Sequence, residues 1–427
     1  MSFARQSLGS LAALVFGIAA SIVLPRVLGA EARGEYQLAV KLAGLVLALA
    51  QWGIPEVLLQ LVAERRAPIG SLVGTSLALG LAGAVATAGL VAMVALAPLA
   101  RETVLRGVDP LLMGIALAGS LVSLVGLLAR RFIQLGSRLD LYNGLDVGRT
   151  ALFLLLAIAA ASLLPRQALG ATAAWLLAEL ALAVAAGAYV WRIATTRLDR
   201  GLAGELARSG APIQLGLLAM FVGNEGGAYV LNARLDLAAV GVYSVALAVS
   251  RLVLQVSIAL RTALQPRLIG PEADSAAVTT RVTRHGLLWM LLLAVGLAIG
   301  SPLVPVVFTR EFGPAAPALV LLLPGMVAYG VWQLVAGHLL RIGRRGLLAA
   351  NSWLFAVAAI VLQALGADAF GLTGAAAGLS LAYVVGAAVA TAAFLRLSGR
   401  PARELVPVPA DVAFYVRLTR GALAPSP

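Results

Sequence analysis

APIQLGLLAMFVGNEGGAYVLN, residues 211–232, and ARQSLGSLAALVFGIAASIVLP, residues 4–25, decide how this chain is to be read. Laid over one another at an offset of 207, they share Ala4/Ala211, Leu8/Leu215, Gly9/Gly216, Leu11/Leu218, Ala12/Ala219, Val15/Val222, Val23/Val230 and Leu24/Leu231. The register continues through Leu28/Leu235, Ala32/Ala239, Gly34/Gly241, Tyr36/Tyr243, Ala39/Ala246 and residues 45–47 against 252–254, giving 16 identities in 44 ungapped positions. In a chain rich in Ala, Leu and Gly, on the order of one position in eight would match by chance. The same offset pairs Gly136 and Arg138 with Gly343 and Arg345. The chain is therefore an internal repeat. The apolar run that follows Arg5 has a repeat partner, so it is read as a helix of the first half and not as a cleaved leader.

Working outward, both stretches are apolar and long enough to cross roughly 30 Å of hydrocarbon, which takes about 20 helical residues. Of the 427 residues, 61% are hydrophobic and 12% charged, and the mean hydropathy is +0.96. So little charge cannot cover a soluble surface, and the apolar excess must face lipid. Twelve spans are predicted, near 7–25, 36–62, 69–98, 110–129, 149–164, 168–191, 212–232, 237–262, 286–308, 315–338, 347–366 and 371–395. Proline inside a span (Pro55, Pro302, Pro324) is tolerated where a neighbouring helix satisfies the freed backbone groups.

The formal charge of +13 does not point to nucleic acid, because the basic residues follow the loops. The N-terminal tail, the even-numbered loops and the C-terminus hold 23 of the 32 basic residues, Arg65, Arg130, Arg149, Arg197, Arg284, Arg344 and Arg400 among them. The opposite side holds seven: Arg26, Arg33, Arg101, Arg106, Arg166, Arg234 and Arg310. Lys41, the single lysine, and Arg251 fall within spans. This bias places both termini in the cytoplasm of a multi-pass inner (cytoplasmic) membrane protein.

The expected fold is all-α and polytopic, with 12 transmembrane helices in two six-helix bundles. Six spans per half is an even number, so the bundles share one orientation and are related by a pseudo-twofold axis along the membrane normal, with a path between them. The expected divisions are an N-terminal bundle over 1–192, a cytoplasmic linker helix over 193–211, a C-terminal bundle over 212–397 and a basic tail over 398–427. Within that tail, residues 411–418 could form an amphipathic helix or none.

Ionisable groups inside spans cost about 2.5–3.5 kcal/mol on insertion scales, so each is a functional candidate. Gln214, Glu225 and Asn232 lie 11 and 7 residues apart, within about 20° of one another on a helix. Beside Asn224, they form a polar stripe that either lines a cavity or couples to a cation; interhelical bonding is the plainer alternative. Arg251, with Gln255 one turn on, lies deep in its span and is the first choice for a phosphate contact, since guanidinium binds phosphate bidentately. Lys41, Arg26 and Arg234 complete the basic candidates, and Lys41 and Glu225 are at similar depths and could pair across the halves as an outer gate. Glu179 has no evident partner. Gly74, Gly80, Gly83 and Gly89 read as close helix packing. With no cysteine and two histidines, no thiolate or His-rich metal site can form, and neither a nucleophile–base pair nor a phosphate loop is present. No cofactor and no enzymatic activity are expected.

Several short motifs resemble the Wzx-type polysaccharide flippases of the superfamily that includes MATE drug exporters and lipid II flippases. They are residues 26–29 (RVLG) with Gly34 and Tyr36, Gly210 with Pro212, residues 241–246 (GVYSVA), residues 265–267 (QPR), and residues 343–345 (GRR) with Asn351. The resemblance implies a central cavity between two bundles and alternating access. It also implies an undecaprenyl-pyrophosphate-linked oligosaccharide as substrate, flipped for surface polysaccharide such as O-antigen of lipopolysaccharide. Membrane lipids and the polysaccharide polymerase machinery are the implied partners. A MATE-like multidrug exporter is the alternative; a membrane glycan polymerase or ligase would need a long outer loop that the sequence lacks. The first span carries neither the arginine of lipid II flippases nor the aspartate of many MATE exporters.

Overall fold

The computed structural model describes residues 3–64, 67–136, 138–193, 195–269, 275–409 and 411, with side chains left undescribed at residues 3–15, 59, 63, 193, 212 and 262–269. The described residues hold helices and no strand, as lipid demands of any chain that must satisfy its backbone internally. The first half comprises α1 (Phe3–Ala50), α2 (Ile54–Ala63), α3 (Ile69–Leu96), the short α4 (Pro98–Glu102), α5 (Pro110–Leu135), α6 (Leu139–Leu163) and α7 (Gln167–Ile193). The second comprises α8 (Arg200–Glu225), α9 (Gly227–Arg234), α10 (Leu237–Ser250), α11 (Leu254–Ile269), α12 (Ser275–Gly300), the short α13 (Val304–Val307), α14 (Ala315–Arg341) and α15 (Arg345–Ser398).

Eight helices are long and apolar enough to cross a membrane, or ten if each of two bent pairs is one span. The expected twelve are thus not separately reproduced. The continuous helices α1 and α15 contain non-helical backbone at Gly29 and at Phe370–Gly371. At the latter the chain turns back on itself. A Cβ on Gly378 would overlap the Leu362 carbonyl, and one on Gly366 the Gly374 carbonyl, while Asn351 Nδ2 donates to Gly386 O at 3.0 Å. These pairs straddle residue 370, so α15 is an antiparallel hairpin of two helices.

Aspartates cap the helix starts where the sequence turns polar. Asp109, Asp199 and Asp236 accept from Leu111 N, Leu202 N and Ala239 N at 2.8, 3.1 and 2.7 Å, replacing a bond that the first turn lacks. At Pro324, inside α14, the next N–H is satisfied from a neighbouring helix: Gly325 N donates to Ser380 Oγ of α15 at 2.7 Å. Large apolar side chains such as Val85, Met93, Leu155 and Ile299 are exposed on the outside of the molecule, as a lipid-facing surface requires.

The backbones of the two halves come closest in two places. At the arginine-poor end α1 crosses α10 so closely that a Cβ on Gly34 would overlap the Leu237 carbonyl and one on Gly241 the Ala30 carbonyl. Gly34 and Gly241 are repeat equivalents, and so are Ala30 and Leu237. Each half therefore makes with the other the contact that the other makes with it, as a twofold axis through the crossing requires. Loops cover this crossing from both sides. Arg106 Nη2 donates to Leu235 O at 2.6 Å, and Ala30 N donates to Glu311 Oε2 at 3.1 Å.

At the arginine-rich end, the turn before α2 abuts the middle of α8. Gly53 and Gly210 approach within backbone contact, and Trp52 Nε1 donates to Ala207 O at 3.2 Å. Of the expected linker helix over 193–211, residues 200–211 are helical and residues 195–199 are not. Residues 195–199 are irregular, and α8 begins at Arg200 and bends by 49° between Ala211 and Ile213. The irregular stretch lies on α3: Arg197 N donates to Gly70 O at 3.1 Å, and Asp199 N to Thr75 Oγ1 at 2.9 Å. Gly74 therefore makes room for the linker backbone and not for another helix. Gly80 does pack on helix α5 through Leu124 and Leu128, whereas a side chain at Gly89 would meet nothing. Of residues 411–418 only Asp411 is described, so the expected tail helix lies outside the described residues.

Candidate functional site

A cavity of about 330 Å³ on the second half is lined by Met220, Phe221, Asn224, Glu225, Arg251, Leu254, Tyr329 and Gln333. Irregular backbone brings its charged groups together. Glu225 ends α8 at the break before Gly226, and Arg251 opens a three-residue 3₁₀ turn, Arg251–Val253, between α10 and α11. Arg251 Nη2 donates to Glu225 Oε1 at 2.7 Å and lies 3.4 Å from Asn224 O. Lys41 Nζ reaches across from α1 to the other carboxylate oxygen of Glu225. Two cations thus share one acid, and the cluster carries a net charge of +1.

Asn224 is fixed in turn. Its Nδ2 donates to Met220 O at 2.6 Å, and its Oδ1 accepts from Tyr383 OH. Tyr383, fully buried, is stacked between Tyr329 and Phe355 with ring centroids 4.7 and 4.8 Å away. This aromatic stack is not among the residues that the sequence singles out. Aromatic positions in an apolar span carry no sign in the sequence of which face they take.

The polar stripe does share one face, and that face meets the other half along its whole length, but only its middle opens on the cavity. Gln214, 6% exposed, accepts from Gly53 N at 3.0 Å and donates to Ala48 O. Asn232, 1% exposed, donates to Val104 O and Arg106 O at 3.1 and 3.0 Å. Both are sequence candidates for lining a cavity; both instead bond backbone across the seam, because the halves are in contact at those two levels. The remaining substrate-site candidates are not drawn in. Gln255 and Arg26 are exposed and do not line the cavity. Arg234 makes a half-exposed surface pair with Asp368 at 3.5 Å. The side chain of Gln265 lies outside the described residues.

Glu179 has a partner after all. Arg149 Nη1 donates to it at 3.0 Å, and Asp146 joins Arg149 and Arg130 at 3.5 and 2.7 Å. Arg149, grouped with the loop residues on sequence, lies well inside α6, where these pairs offset the cost of a polar helix start.

The central cluster can hold an anion. Its donors are preorganised on Glu225, and a ligand with several oxygens could take over part of their coordination without recruiting new charge. No group of His, Cys, Asp or Glu that could hold a metal ion occurs among the described residues.

Two like halves crossing at paired glycines, joined by a charged cluster that borders a cavity on the second half, have the architecture of a polytopic membrane protein of the transporter class. Solved structures show the same fold. The lipid II flippase MurJ in an inward closed conformation superposes with a TM-score of 0.75 at 11% identity, covering 94% of this chain and 88% of that one. The MATE multidrug transporter DinF-BH gives 0.67 at 16% identity, covering 94% of each chain. An inward-facing multidrug resistance MATE family transporter of the MOP superfamily gives 0.66 at 17%, covering 93% and 95%. These relatives are transporters and flippases, not enzymes. The sequence model of the polysaccharide biosynthesis protein family matches residues 4–269, and the chain belongs to that family. A search of curated proteins finds no match.

Proposed function

We propose that this protein is a flippase that carries a polyprenyl-pyrophosphate-linked oligosaccharide repeat unit, of the undecaprenyl class, from the inner to the outer leaflet of a bacterial cytoplasmic membrane. Both termini face the cytoplasm. The observation that carries the reading is the charge of the cluster at the cavity: Lys41, behind the lining, and Arg251 against the single Glu225. A site for cationic drugs would be acidic, whereas a diphosphate calls for net basicity, and membership of a polysaccharide biosynthesis family supports a glycan as the cargo. The cavity suits a headgroup and not an oligosaccharide. Loading therefore requires the clasp of Gln214 on Ala48 and Gly53 to part, while the Gly34–Gly241 crossing stays shut; release reverses the two.

In cells lacking the protein, lipid-linked oligosaccharide should accumulate in the inner leaflet, and Arg251→Ala should fail to relieve it at normal expression. Unchanged lipid-linked oligosaccharide together with altered drug sensitivity would replace this reading with an exporter.

A further inference from the structure

Far from the central cavity, at the arginine-rich end, the chain after α15 folds back onto the start of α12. Asp411, 4% exposed, accepts from Arg284 Nη2 at 2.8 Å, and His285 Nε2 lies 3.9 Å from the same oxygen. Arg400 Nη1 lies 3.4 Å from Glu404 Oε2 within the returning segment. The fold-back encloses a cavity of about 220 Å³ lined by Ala277, Thr280, Arg281, Arg284, Arg400 and Glu404.

Three guanidinium groups line this cavity against one carboxylate, and that carboxylate is engaged by Arg400. Among the described residues, two further groups of this cavity have no hydrogen-bond partner. Thr280 Oγ1 and Arg284 Nε are buried without a hydrogen bond, and Thr280 is 5% exposed. Buried donors are nearly always satisfied, and leaving one unmet costs free energy. Unmet donors on two residues that line one net-positive cavity call for a compact acceptor with several oxygens and negative charge. A neutral sugar would satisfy the hydroxyl but not the charge. A carboxylate would offer two oxygens to a site with donors on four side chains.

We propose that Thr280, Arg281, Arg284 and Arg400 form a phosphate-binding site separate from the transport cavity. Its ligand is a phosphate ester or phosphate ion, held against the cytoplasmic start of α12 by the returning segment. The site lies where the apolar part of α12 begins, the level of phospholipid headgroups, and basic pockets at that level bind anionic lipids. A soluble phosphate offers the same chemistry.

The test uses the full-length protein and Thr280→Val/Arg281→Gln, which removes the free hydroxyl and an exposed guanidinium without touching the Arg284–Asp411 pair. Thermal unfolding in detergent is followed against inorganic phosphate. Lipid retention is measured by native mass spectrometry, from nanodiscs of phosphatidylcholine with or without phosphatidylglycerol. Selective retention of phosphatidylglycerol by the wild type, weakened about tenfold in the variant, assigns the site to a headgroup. Stabilisation by inorganic phosphate, lost in the variant and without lipid selectivity, assigns it to a soluble phosphate. If wild type and variant respond alike to both probes, the proposal is overturned. Should the double variant fail to fold, Arg281→Gln alone, at an exposed position, repeats the comparison.

Discussion

Glu225 is the residue on which the central cluster depends, because it is the one acid between two cations. Removing it leaves Lys41 and Arg251 facing each other in a partly buried site, where an uncompensated charge costs more than the pair contributed. Glu225→Gln should therefore lower stability by roughly 1–3 kcal/mol. Lys41→Gln/Glu225→Gln, which removes a cation along with the acid, should be more stable than Glu225→Gln. Chemical denaturation of both variants checks the order, and an additive result would mean that the pair is not coupled. At Arg251 geometry counts as well as charge. Arg251→Lys keeps the cation but loses the planar fork, and flipping should fall about tenfold or more, measured by protection of the glycan from an external enzyme in vesicles.

Among the elements, the two seams oppose each other and can be opened one at a time. A leucine at Gly34 cannot fit against the Leu237 carbonyl, so Gly34→Leu should part the arginine-poor end. Gln214→Ala removes the bonds to Ala48 and Gly53 and should loosen the opposite end. The chain has no cysteine, so a single Asn224→Cys reports access to the cavity. Membrane-impermeant maleimide should label it faster from outside in Gly34→Leu, and faster in inverted vesicles in Gln214→Ala. Labelling that changes on the same side in both would reject two separate gates. The sequence shows what belongs on this seam but not what each part does. The spacing of Gln214, Glu225 and Asn232 gives their common face, since helical periodicity is local. Which of the three meets water depends on where the other half touches, and that is set by Lys41, Ala48, Gly53, Val104 and Arg106, which lie 126 to 184 residues away in sequence. Arg149 is misread for a related reason: the polar start of α6 has the composition of a loop, and the Asp146 and Glu179 pairs that make it tolerable as helix are tertiary.

For the molecule as a whole, the loop charges give the clearest prediction. Reporter fusions truncated after residue 67, 136 or 343 should report the cytoplasm, and those truncated after residue 107 or 311 the opposite side. A fusion on the wrong side would break the alternation on which the orientation rests. The repeat is legible at this scale because it preserves backbone requirements such as Gly34 and Gly241. The fold-back of residues 400–411 is not, since it has no counterpart in the first half.

The glycine crossing also bears on ancestry. Because Gly34 meets the second half where Gly241 meets the first, nothing about this joint needs two different sequences. Two identical half-length polypeptides could have docked there as a homodimer before gene fusion, and the later divergence of Lys41 from Ala248 and of Glu225 from Ile18 would then have given a symmetric pore its single, off-axis charge.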